Sequence, residues 1–247
     1  MNKRFTMRQA LDDPLLLGGT LSGPSWQYWR VLLVSMMGEA LSSEERKLFT
    51  ELTGRPQEPL QRVEEFVGVI GRRGGKSRAA ATLACYLAAL CQHRLVPGER
   101  GLVLCIAPDQ RQAAITLDYA SAAFESSPLL KQLIVSRSSD ALSLSNGVDI
   151  EVRSASFRRL RGPTYVAVIA DEACFWHSDE SANPDTEILN AVRPGLATTS
   201  GLLAIISSPY ARRGEVWPGW RSADIGGARR VACSQFRIAA VRCRSCV

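Results

Sequence analysis

The chain has 247 residues, 46% of them hydrophobic, which is enough to bury one substantial core with at most a small appendage. No stretch approaches the roughly 18 apolar residues that span a membrane, and the apolar run at 15–17 is too short for a signal peptide, so we expect a cytoplasmic protein without a membrane partner. The net charge of +6 is concentrated in residues 218–247, which hold six arginines and one aspartate, so bulk charge gives little support for nucleic-acid binding.

The first sixty residues predict a helical segment. An apolar run that contains paired tryptophans comes first. In the next helix, Ser42 and Glu45 have the spacing of a capping box, and Gly54 is placed to end the helix. Two prolines then mark a linker, and we therefore expect 1–60 to be a helical N-terminal segment.

From residue 61 onward, apolar strands alternate with helices. Buried strands are predicted at 64–70, 101–108, 165–173 and 201–209. Helices are predicted at 77–93 and 109–126, and a hairpin that turns at Asn146-Gly147 is predicted over 141–156. Because apolar strands joined by helices form mostly parallel sheets covered on both faces, the sequence predicts an α/β fold for 61–217.

The sequence VIGRRGGKS at 69–77 ends like a phosphate-binding loop and lies between a buried strand and a helix, which is the context such a loop requires. It departs from the usual pattern G-x-x-x-x-G-K-[ST], because the first glycine is replaced by Ile70 and comes one residue later, at Gly71. Two arginines fill the middle of the loop. A glycine-rich turn beside a solvated lysine is the alternative to a working site.

Each residue type at the end of this loop suits a phosphate. Backbone N–H groups freed by Gly74 and Gly75, with those of the following helix, would hold the phosphates. Lys76 would reach the β- and γ-phosphates, and the hydroxyl of Ser77 would hold Mg²⁺.

An acidic pair ends the third buried strand, where VAVIADEA at 166–173 places Asp171 next to Glu172. Two carboxylates at the end of a buried strand are costly unless they serve a cation or a reacting water. In a phosphate-loop ATPase the first would organise the Mg²⁺ shell and the second would polarise the attacking water. An acid pair at a helix N-terminus is the alternative, but the combination of loop and acid pair in this order is more specific than either alone.

The fourth buried strand, LLAIISSPY at 202–210, ends in Ser207 and Ser208. ATPases with an additional strand between the loop strand and the carboxylate strand place small polar residues at the end of that strand, where they can sense the γ-phosphate. A turn that merely ends the strand is the alternative.

Taken together, these elements resemble the ATPase domain of a phage terminase large subunit, the motor that pumps DNA into a procapsid. The resemblance covers about residues 20–217. It rests on GRRGGKS at 71–77, IAPDQRQA at 106–113, RRLRGPTYVAVIADEACFW at 158–176 and ILNAVRPGLATTSGLLAIISSPYARRGEVW at 188–217. Loops of this family are typically compressed and carry arginine before Gly-Lys-Ser, so the displaced glycine is similar to a family signature.

The resemblance implies a P-loop NTPase of the additional-strand type that binds ATP with Mg²⁺. Its catalytic residues would be Glu172, Lys76, Arg72 and Arg73. The segment GPSWQYW at 23–29 is similar to the family's adenine-contacting segment, in which a glutamine matches Gln27 and aromatic residues flank it. The implied nucleotide-binding set is Gln27, Gly71, Arg72, Arg73, Gly74, Gly75, Lys76, Ser77, Ser207 and Ser208, and the implied metal ligands are Ser77 and Asp171.

The resemblance also implies partners: double-stranded DNA, the terminase small subunit, the portal protein, and further copies of the chain in a homo-oligomeric ring. It implies a location in the cytoplasm of the bacterial host, transiently at the procapsid portal.

An arginine near the motifs would stabilise charge on the nucleotide of its own or a neighbouring subunit. We favour Arg72 or Arg73 and keep Arg161 as a candidate. Of the whole set, which also includes Arg158, Arg159, Arg212 and Arg213, we expect most to be solvated loop arginines and others to contact DNA phosphate.

The tail at 218–247 departs from the family. A complete large subunit would continue into a nuclease domain with several metal-binding acids, whereas Asp224 is the tail's only acid, so we expect no nuclease activity from this chain. The tail shows no helical or strand periodicity, and two further strands of an ATPase sheet lack clear candidates. We expect an irregular, basic tail, read out of frame after a deletion, in a truncated prophage remnant.

The seven cysteines divide between the tail and the body. A zinc knuckle in the tail lacks a fourth ligand at sensible spacing, since both histidines lie far upstream. The four body cysteines lie in apolar patterns that predict buried, reduced thiols: Cys85, Cys91, Cys105 and Cys174.

Two other functions stay open from the residues alone. The first lobe of a nucleic-acid helicase shares the Lys-Ser loop, an Asp-Glu-Ala strand end and a serine-containing third motif, but it requires a second lobe. A nucleotide-binding remnant that folds around the site without turnover belongs to a different class, and a measurement of steady-state ATP hydrolysis distinguishes it.

Overall fold

The computed structural model describes residues 5–156, 160–177 and 184–209, and the backbone of 236–242. The helices of the described ranges are α1 (Met7–Asp12), α2 (Gln27–Met36), α3 (Ser43–Thr53), α4 (Lys76–Ala89), α5 (Gln110–Ser126) and α6 (Pro184–Thr199). The strands are β1 (Glu65–Ile70), β2 (Gly101–Ala107), β3 (Ile134–Arg137), β4 (Ala141–Leu144), β5 (Val148–Ser154), β6 (Thr164–Asp171), β7 (Leu202–Ser207) and β8 (Phe236–Arg242). Short 3₁₀ helices cover Pro24–Trp26, Lys131–Leu133 and Ala173–Phe175.

The eight strands of the described residues form one sheet, in the order β3-β4-β5-β2-β6-β7-β1-β8. The central strands β5, β2, β6, β7 and β1 are parallel, whereas β3, β4 and β8 pair antiparallel with their neighbours. The predicted α/β fold with a mostly parallel sheet is therefore confirmed. The additional strand is also in its predicted place, because β7 lies between the loop strand β1 and the carboxylate strand β6.

Apolar side chains cover both faces of the sheet. Along β2, Val103 and Cys105 belong to one hydrophobic cluster while Leu104 and Ile106 belong to the other, as the two-residue period of a strand requires. The first cluster also contains the apolar residues of α1 to α5, and the second contains those of α6. A sheet buried in this way exposes only its ends, and the carboxyl end of the parallel strands is where ligands bind in such folds.

The helical N-terminal segment forms as its local sequence predicts. The Ser42 hydroxyl accepts a hydrogen bond from the Glu45 N–H, and the Glu45 carboxylate accepts one from the Ser42 N–H, which completes the capping box at the start of α3. Gly54 ends the helix in the left-handed region, with φ of 71°. Among the described residues, no helix combines the length and apolarity that crossing a bilayer requires.

The structure differs from the sequence-based expectations at the two edges of the sheet. Strand β3 has no counterpart among the predicted strands, and 236–242, expected to be irregular, form β8 beside β1. Strand β8 pairs with β1, which is distant in sequence, and β3 is a four-residue edge strand in which only Ile134 is partly buried, so local periodicity reveals neither strand. The division of the chain into three parts and the reading frame of the tail stay predictions.

Two smaller differences concern α6 and Cys174. Helix α6 was not predicted, since Pro194 and Gly195 disfavour a helix, but Ile188, Leu189 and Val192 pack on the sheet and stabilise it. Cys174 is half-buried, whereas the other three body cysteines are buried as expected.

Candidate nucleotide site

The loop that follows β1 is short and closed on itself. Ile70, which occupies the usual glycine position, is the fully buried last residue of β1, so the loop proper begins at Gly71. The carbonyl of Gly71 accepts hydrogen bonds from the Gly74 N–H and from the Lys76 ammonium, both at 3.2 Å. The displaced glycine therefore belongs to a compact turn that delivers the chain directly into α4.

Gly75 must be a glycine for two reasons. It precedes α4 in the left-handed region, with φ of 74°, and a Cβ at this position would lie 2.6 Å from the ring of Trp26. The ring of Trp26, just before α2, thus limits the space around the loop.

The start of α4 presents free donors. In the described part of the chain, the N–H groups of Gly75, Lys76 and Ser77 have no hydrogen-bond acceptor, because the first helical hydrogen bond runs from Ala79 to the Gly75 carbonyl. Unpaired N–H groups at a helix N-terminus attract anions, and the helix dipole adds to the attraction. The predicted phosphate-holding residues therefore have the backbone arrangement that the prediction requires.

Lys76 is buried at the centre of the site. Its ammonium donates to the Ser208 hydroxyl at 2.9 Å and to the Ile70 carbonyl at 3.2 Å, and it lies 3.3 Å from the carboxylate of Glu172. The structure thus joins the ends of three elements: the loop after β1, the acid pair after β6 and the serine at the end of β7.

Asp171 carries an unsatisfied oxygen. Its carboxylate is buried, its Oδ2 lies 3.4 Å from the Ser77 hydroxyl, and its Oδ1 has no hydrogen-bond partner among the described residues. Burial, with the neighbouring charge of Glu172, raises the pKa of Asp171 to about 6. An orphaned carboxylate oxygen beside a hydroxyl is a donor set that suits a hard divalent cation.

Glu172 is held in an unusual backbone conformation by the end of β7. Its φ is 50°, in the left-handed region, and its carboxylate accepts from the Ser208 N–H at 2.6 Å and from the Ser208 hydroxyl at 2.8 Å. Non-glycine residues adopt this region rarely and at a cost in free energy. Three described non-glycine residues have positive φ, and two of them, Arg73 and Glu172, belong to this site.

The two serines that end β7 have different surroundings. The Ser207 hydroxyl is fully buried, where it accepts from the Cys174 N–H at 3.2 Å and lies 3.4 Å from the Glu172 carboxylate. The Ser208 hydroxyl instead lies between the charged groups of Lys76 and Glu172. Of the two predicted sensing residues, Ser208 therefore occupies the position between the loop and the acid pair.

The predicted arginines are divided between the two ends of the sheet. Arg72 and Arg73 are exposed on the loop. Arg161 precedes β6 and lines a cavity of about 580 Å³ with residues of α6 such as Pro194, at the opposite end of the strand from Asp171. The structure therefore does not bring Arg161 to the nucleotide site of its own chain. Four other candidates lie outside the described residues: Arg158, Arg159, Arg212 and Arg213.

The predicted adenine-contacting segment lies beside the loop. Gln27 is exposed at the start of α2. Trp29 is buried, and its indole N–H donates to the Gly74 carbonyl at 2.6 Å, so its ring is not available to a base. The ring of Trp26 is half-buried against Gly75, with the guanidinium of Arg78 5.1 Å from its centroid.

Sequence reasoning missed these contacts between α2 and the loop. The available signal was the spacing of three between Trp26, just before α2, and Trp29 on α2, which in a continuous helix would place both on one face. That spacing indicates a shared face but not which carbonyl the face contacts.

Comparisons with known proteins find a similar sequence family and similar folds. Residues 67–184 match the family described as the terminase large subunit, T4likevirus-type, N-terminal. No curated protein matches the sequence.

Three solved structures share the fold. The large terminase ATPase domain of Thermus phage P74-26 matches with 22% identity and a TM-score of 0.50 over 72% of this chain and 73% of that domain, and a mutant of the same domain with 21% identity and a TM-score of 0.50 over 72% and 74%. The large terminase of bacteriophage HK97 matches with 18% identity and a TM-score of 0.51, over 76% of this chain and 37% of that one. The family match over 67–184 makes this part of the chain similar to the N-terminal domain of terminase large subunits, and the solved structures show that the fold is shared.

Proposed function

We propose that this chain is the ATPase domain of a DNA-packaging motor, which hydrolyses ATP to drive double-stranded DNA into procapsids. The observation that carries the proposal is the meeting of Lys76, Glu172 and Ser208 from three separate elements at the carboxyl end of the parallel strands. Free N–H groups of the loop lie beside this cluster. A glycine-rich turn with a solvated lysine would require neither the burial of Lys76 nor its acidic neighbour.

The loop and the acid pair divide the work of binding. The N–H groups of Gly75, Lys76 and Ser77 would hold the phosphates, with Gly71 and Gly74 shaping the turn. Ser77 and Asp171 would hold Mg²⁺, and Asp171 fits this role because its Oδ1 has no other partner among the described residues. When bound, the ion would neutralise charge on the phosphate oxygens.

Lys76 and Glu172 must change partners during the reaction. The ammonium of Lys76 lies 3.3 Å from the Glu172 carboxylate. A γ-phosphate carries more negative charge than one carboxylate, so it would compete for Lys76 and weaken its hold on Glu172. Glu172 would then be free to accept a proton from the water that attacks the γ-phosphorus.

Ser208 would couple this change of partners of Lys76 and Glu172 to the end of β7. Its hydroxyl contacts both Lys76 and Glu172, and its N–H also donates to the Glu172 carboxylate. A change in either partner therefore changes the hydrogen bonds at the end of β7. This arrangement supports the predicted coupling role for Ser208, with Ser207 anchoring the Cys174 backbone beside it.

Three exposed side chains complete the proposed site. Arg72 and Arg73 extend from the loop, where either could stabilise charge on the transferred phosphoryl group of its own or a neighbouring subunit. Gln27, at the start of α2, would contact the adenine.

The proposed partners follow from the family. They are double-stranded DNA, the terminase small subunit, the portal protein and further copies of this chain in a ring, acting in the cytoplasm of the host at the procapsid portal. The chain spans 37% of the HK97 large terminase, so the activities of a whole large subunit stay proposals.

ATP hydrolysis by the purified chain tests the proposal. We expect Mg²⁺-dependent phosphate release that increases when double-stranded DNA and portal protein are added. Lys76→Ala should abolish nucleotide binding or turnover, because the ammonium is the buried cation of the site.

Lys47→Ala is the matched control. Lys47 is exposed on α3, so its loss should leave both binding and turnover unchanged. If Lys76→Ala bound and hydrolysed ATP like the parent, the assignment of the site would be wrong.

A further inference from the structure

A buried tryptophan from the N-terminal segment contacts the phosphate loop. The indole N–H of Trp29, on α2, donates to the carbonyl of Gly74 at 2.6 Å, and the ring is 1% exposed. Gly74 is also buried. A buried backbone carbonyl that lost its partner would pay a desolvation penalty, so this bond favours one orientation of the peptide between Gly74 and Gly75.

The orientation of that peptide determines where the next N–H points. In a trans peptide the carbonyl and the N–H point in opposite directions, and the described chain contains no cis peptide. Because the Gly74 carbonyl points at Trp29, the Gly75 N–H points away from α2. It is one of the N–H groups at the start of α4 that lack an acceptor among the described residues.

A second aromatic side chain keeps the peptide from rotating. The ring of Trp26 lies so close to Gly75 that a Cβ there would be 2.6 Å from it, and Arg78 stacks over the same ring with its guanidinium 5.1 Å from the centroid. The loop is also closed by the hydrogen bond from the Gly74 N–H to the Gly71 carbonyl.

We infer that Trp29 is a positioning residue of the phosphate site: its indole N–H fixes the peptide between Gly74 and Gly75 so that the Gly75 N–H faces the phosphates. The inference rests on the proposed function, because it assumes that the loop binds phosphate. It assigns to α2 a contribution to phosphate affinity that does not depend on the base.

The test is Trp29→Phe, which retains an aromatic ring and removes the donor. Loss of one hydrogen bond should weaken binding of Mg²⁺-ATP by about threefold to tenfold. Inorganic triphosphate, which has no base, should lose affinity by the same factor. At saturating ATP, kcat should stay within about twofold of the parent, because Glu172 and Ser208 are untouched.

Tyr165→Phe is the matched control. The Tyr165 hydroxyl also donates to a backbone carbonyl, that of Leu160, at 2.7 Å from a buried ring. It lies six residues along β6 from Asp171, or about 20 Å at the rise of a strand. Its removal should reduce thermal stability without changing triphosphate affinity.

The outcomes separate this inference from the proposed function. If the parent binds triphosphate, Lys76→Ala does not, and Trp29→Phe binds like the parent, the inference is overturned while the proposed function stands. An equal loss of affinity in Tyr165→Phe would also overturn it, since the effect would then be general. A parent chain that binds neither triphosphate nor ATP would defeat both.

A measurement on the parent avoids any folding defect in the variant. In ¹⁵N-glycine-labelled protein, triphosphate should shift the Gly75 amide resonance strongly and the Gly74 amide resonance weakly, because the Gly74 N–H is already bonded to Gly71. A Gly75 resonance that stayed in place while triphosphate bound would contradict the inference.

Discussion

Two buried carboxylates, one in the N-terminal segment and one at the end of the sheet, have opposite environments. Glu58 accepts two hydrogen bonds from the Arg46 guanidinium, at 2.8 and 2.7 Å, and one from the Leu41 N–H at 2.9 Å. These bonds lower the pKa of Glu58 to about 2. Asp171 has an oxygen without a partner among the described residues, and burial raises its pKa to about 6.

This difference distinguishes a carboxylate whose charge only stabilises the fold from a carboxylate that is suited to binding a ligand. Around Glu58 the fold supplies every hydrogen bond needed to keep the ionised form inside the protein. At Asp171 it leaves part of that requirement unmet, which costs free energy unless a cation supplies the missing charge. A perturbed, incompletely paired acid beside a loop with unpaired N–H groups is therefore a strong local indication of function among the described residues.

The largest expected effect concerns Glu172, the neighbour of Asp171. Glu172→Gln should reduce ATP turnover by on the order of 10²-fold or more, because an amide does not accept the proton of the attacking water. Nucleotide affinity should be retained, since Ser208 can still donate to the amide oxygen. Phosphate release and fluorescent-nucleotide binding measure the two quantities.

Glu125→Gln is a control on the exposed face of α5, where the carboxylate pairs only loosely with Arg137 at 3.4 Å. It should turn over ATP like the parent. Equal losses of nucleotide binding in Glu172→Gln and Asp171→Asn would contradict the division of work between the two acids.

The next effect is on stability and concerns Asp171. Its folded pKa of about 6 lies above the ordinary value of 3.8, so ionisation destabilises the folded state progressively between these values, and the full cost is present above pH 6. Asp171→Asn removes that cost. In the presence of a chelator it should raise the free energy of unfolding by about 1 to 3 kcal/mol at pH 7.5 and by little at pH 4.

The same substitution should weaken the Mg²⁺-dependent part of nucleotide binding. Thermal unfolding at the two pH values and nucleotide titrations with and without Mg²⁺ measure both effects. A variant that was less stable than the parent at pH 7.5 would show that the Asp171 carboxylate is a structural charge like Glu58.

The smallest effect concerns Glu58, and its pH dependence has the opposite sign. The folded pKa of about 2 lies below the ordinary 4.5, so the pair with Arg46 stabilises the protein above about pH 4.5, and this contribution disappears as the pH falls toward 2. Because Arg46 is exposed to solvent, Arg46→Gln should lower the stability at pH 7 by less than Asp171→Asn raises it.

Thermal unfolding of Arg46→Gln at pH 7 and pH 3 measures this change, and nucleotide affinity should be unaffected. A deficit of equal size at both pH values would mean that packing of the Arg46 side chain, and not its charge, stabilises the segment.

Much of the fold could be predicted from local sequence. The capping box at Ser42 and Glu45, the apolar strands and the hairpin at Asn146-Gly147 are encoded within a few residues, and all of them form. The edge strands β3 and β8 could not be predicted, because their stability comes from pairing with β4 and β1. Helix α6 forms despite Pro194, since its apolar face packs on the sheet.

By itself, the sequence determined which residue types the site contains and the order in which they occur: a glycine-rich loop with Lys76, an acid pair at the end of a strand and two serines at the end of another. The tertiary structure determined which of these residues contact one another. It placed Ser208 and not Ser207 between Lys76 and Glu172, set Arg161 at the far end of the sheet, and joined Trp29 to the loop. The physical reason is that residue type and spacing are local properties, whereas hydrogen bonds and burial depend on contacts between residues far apart in the chain.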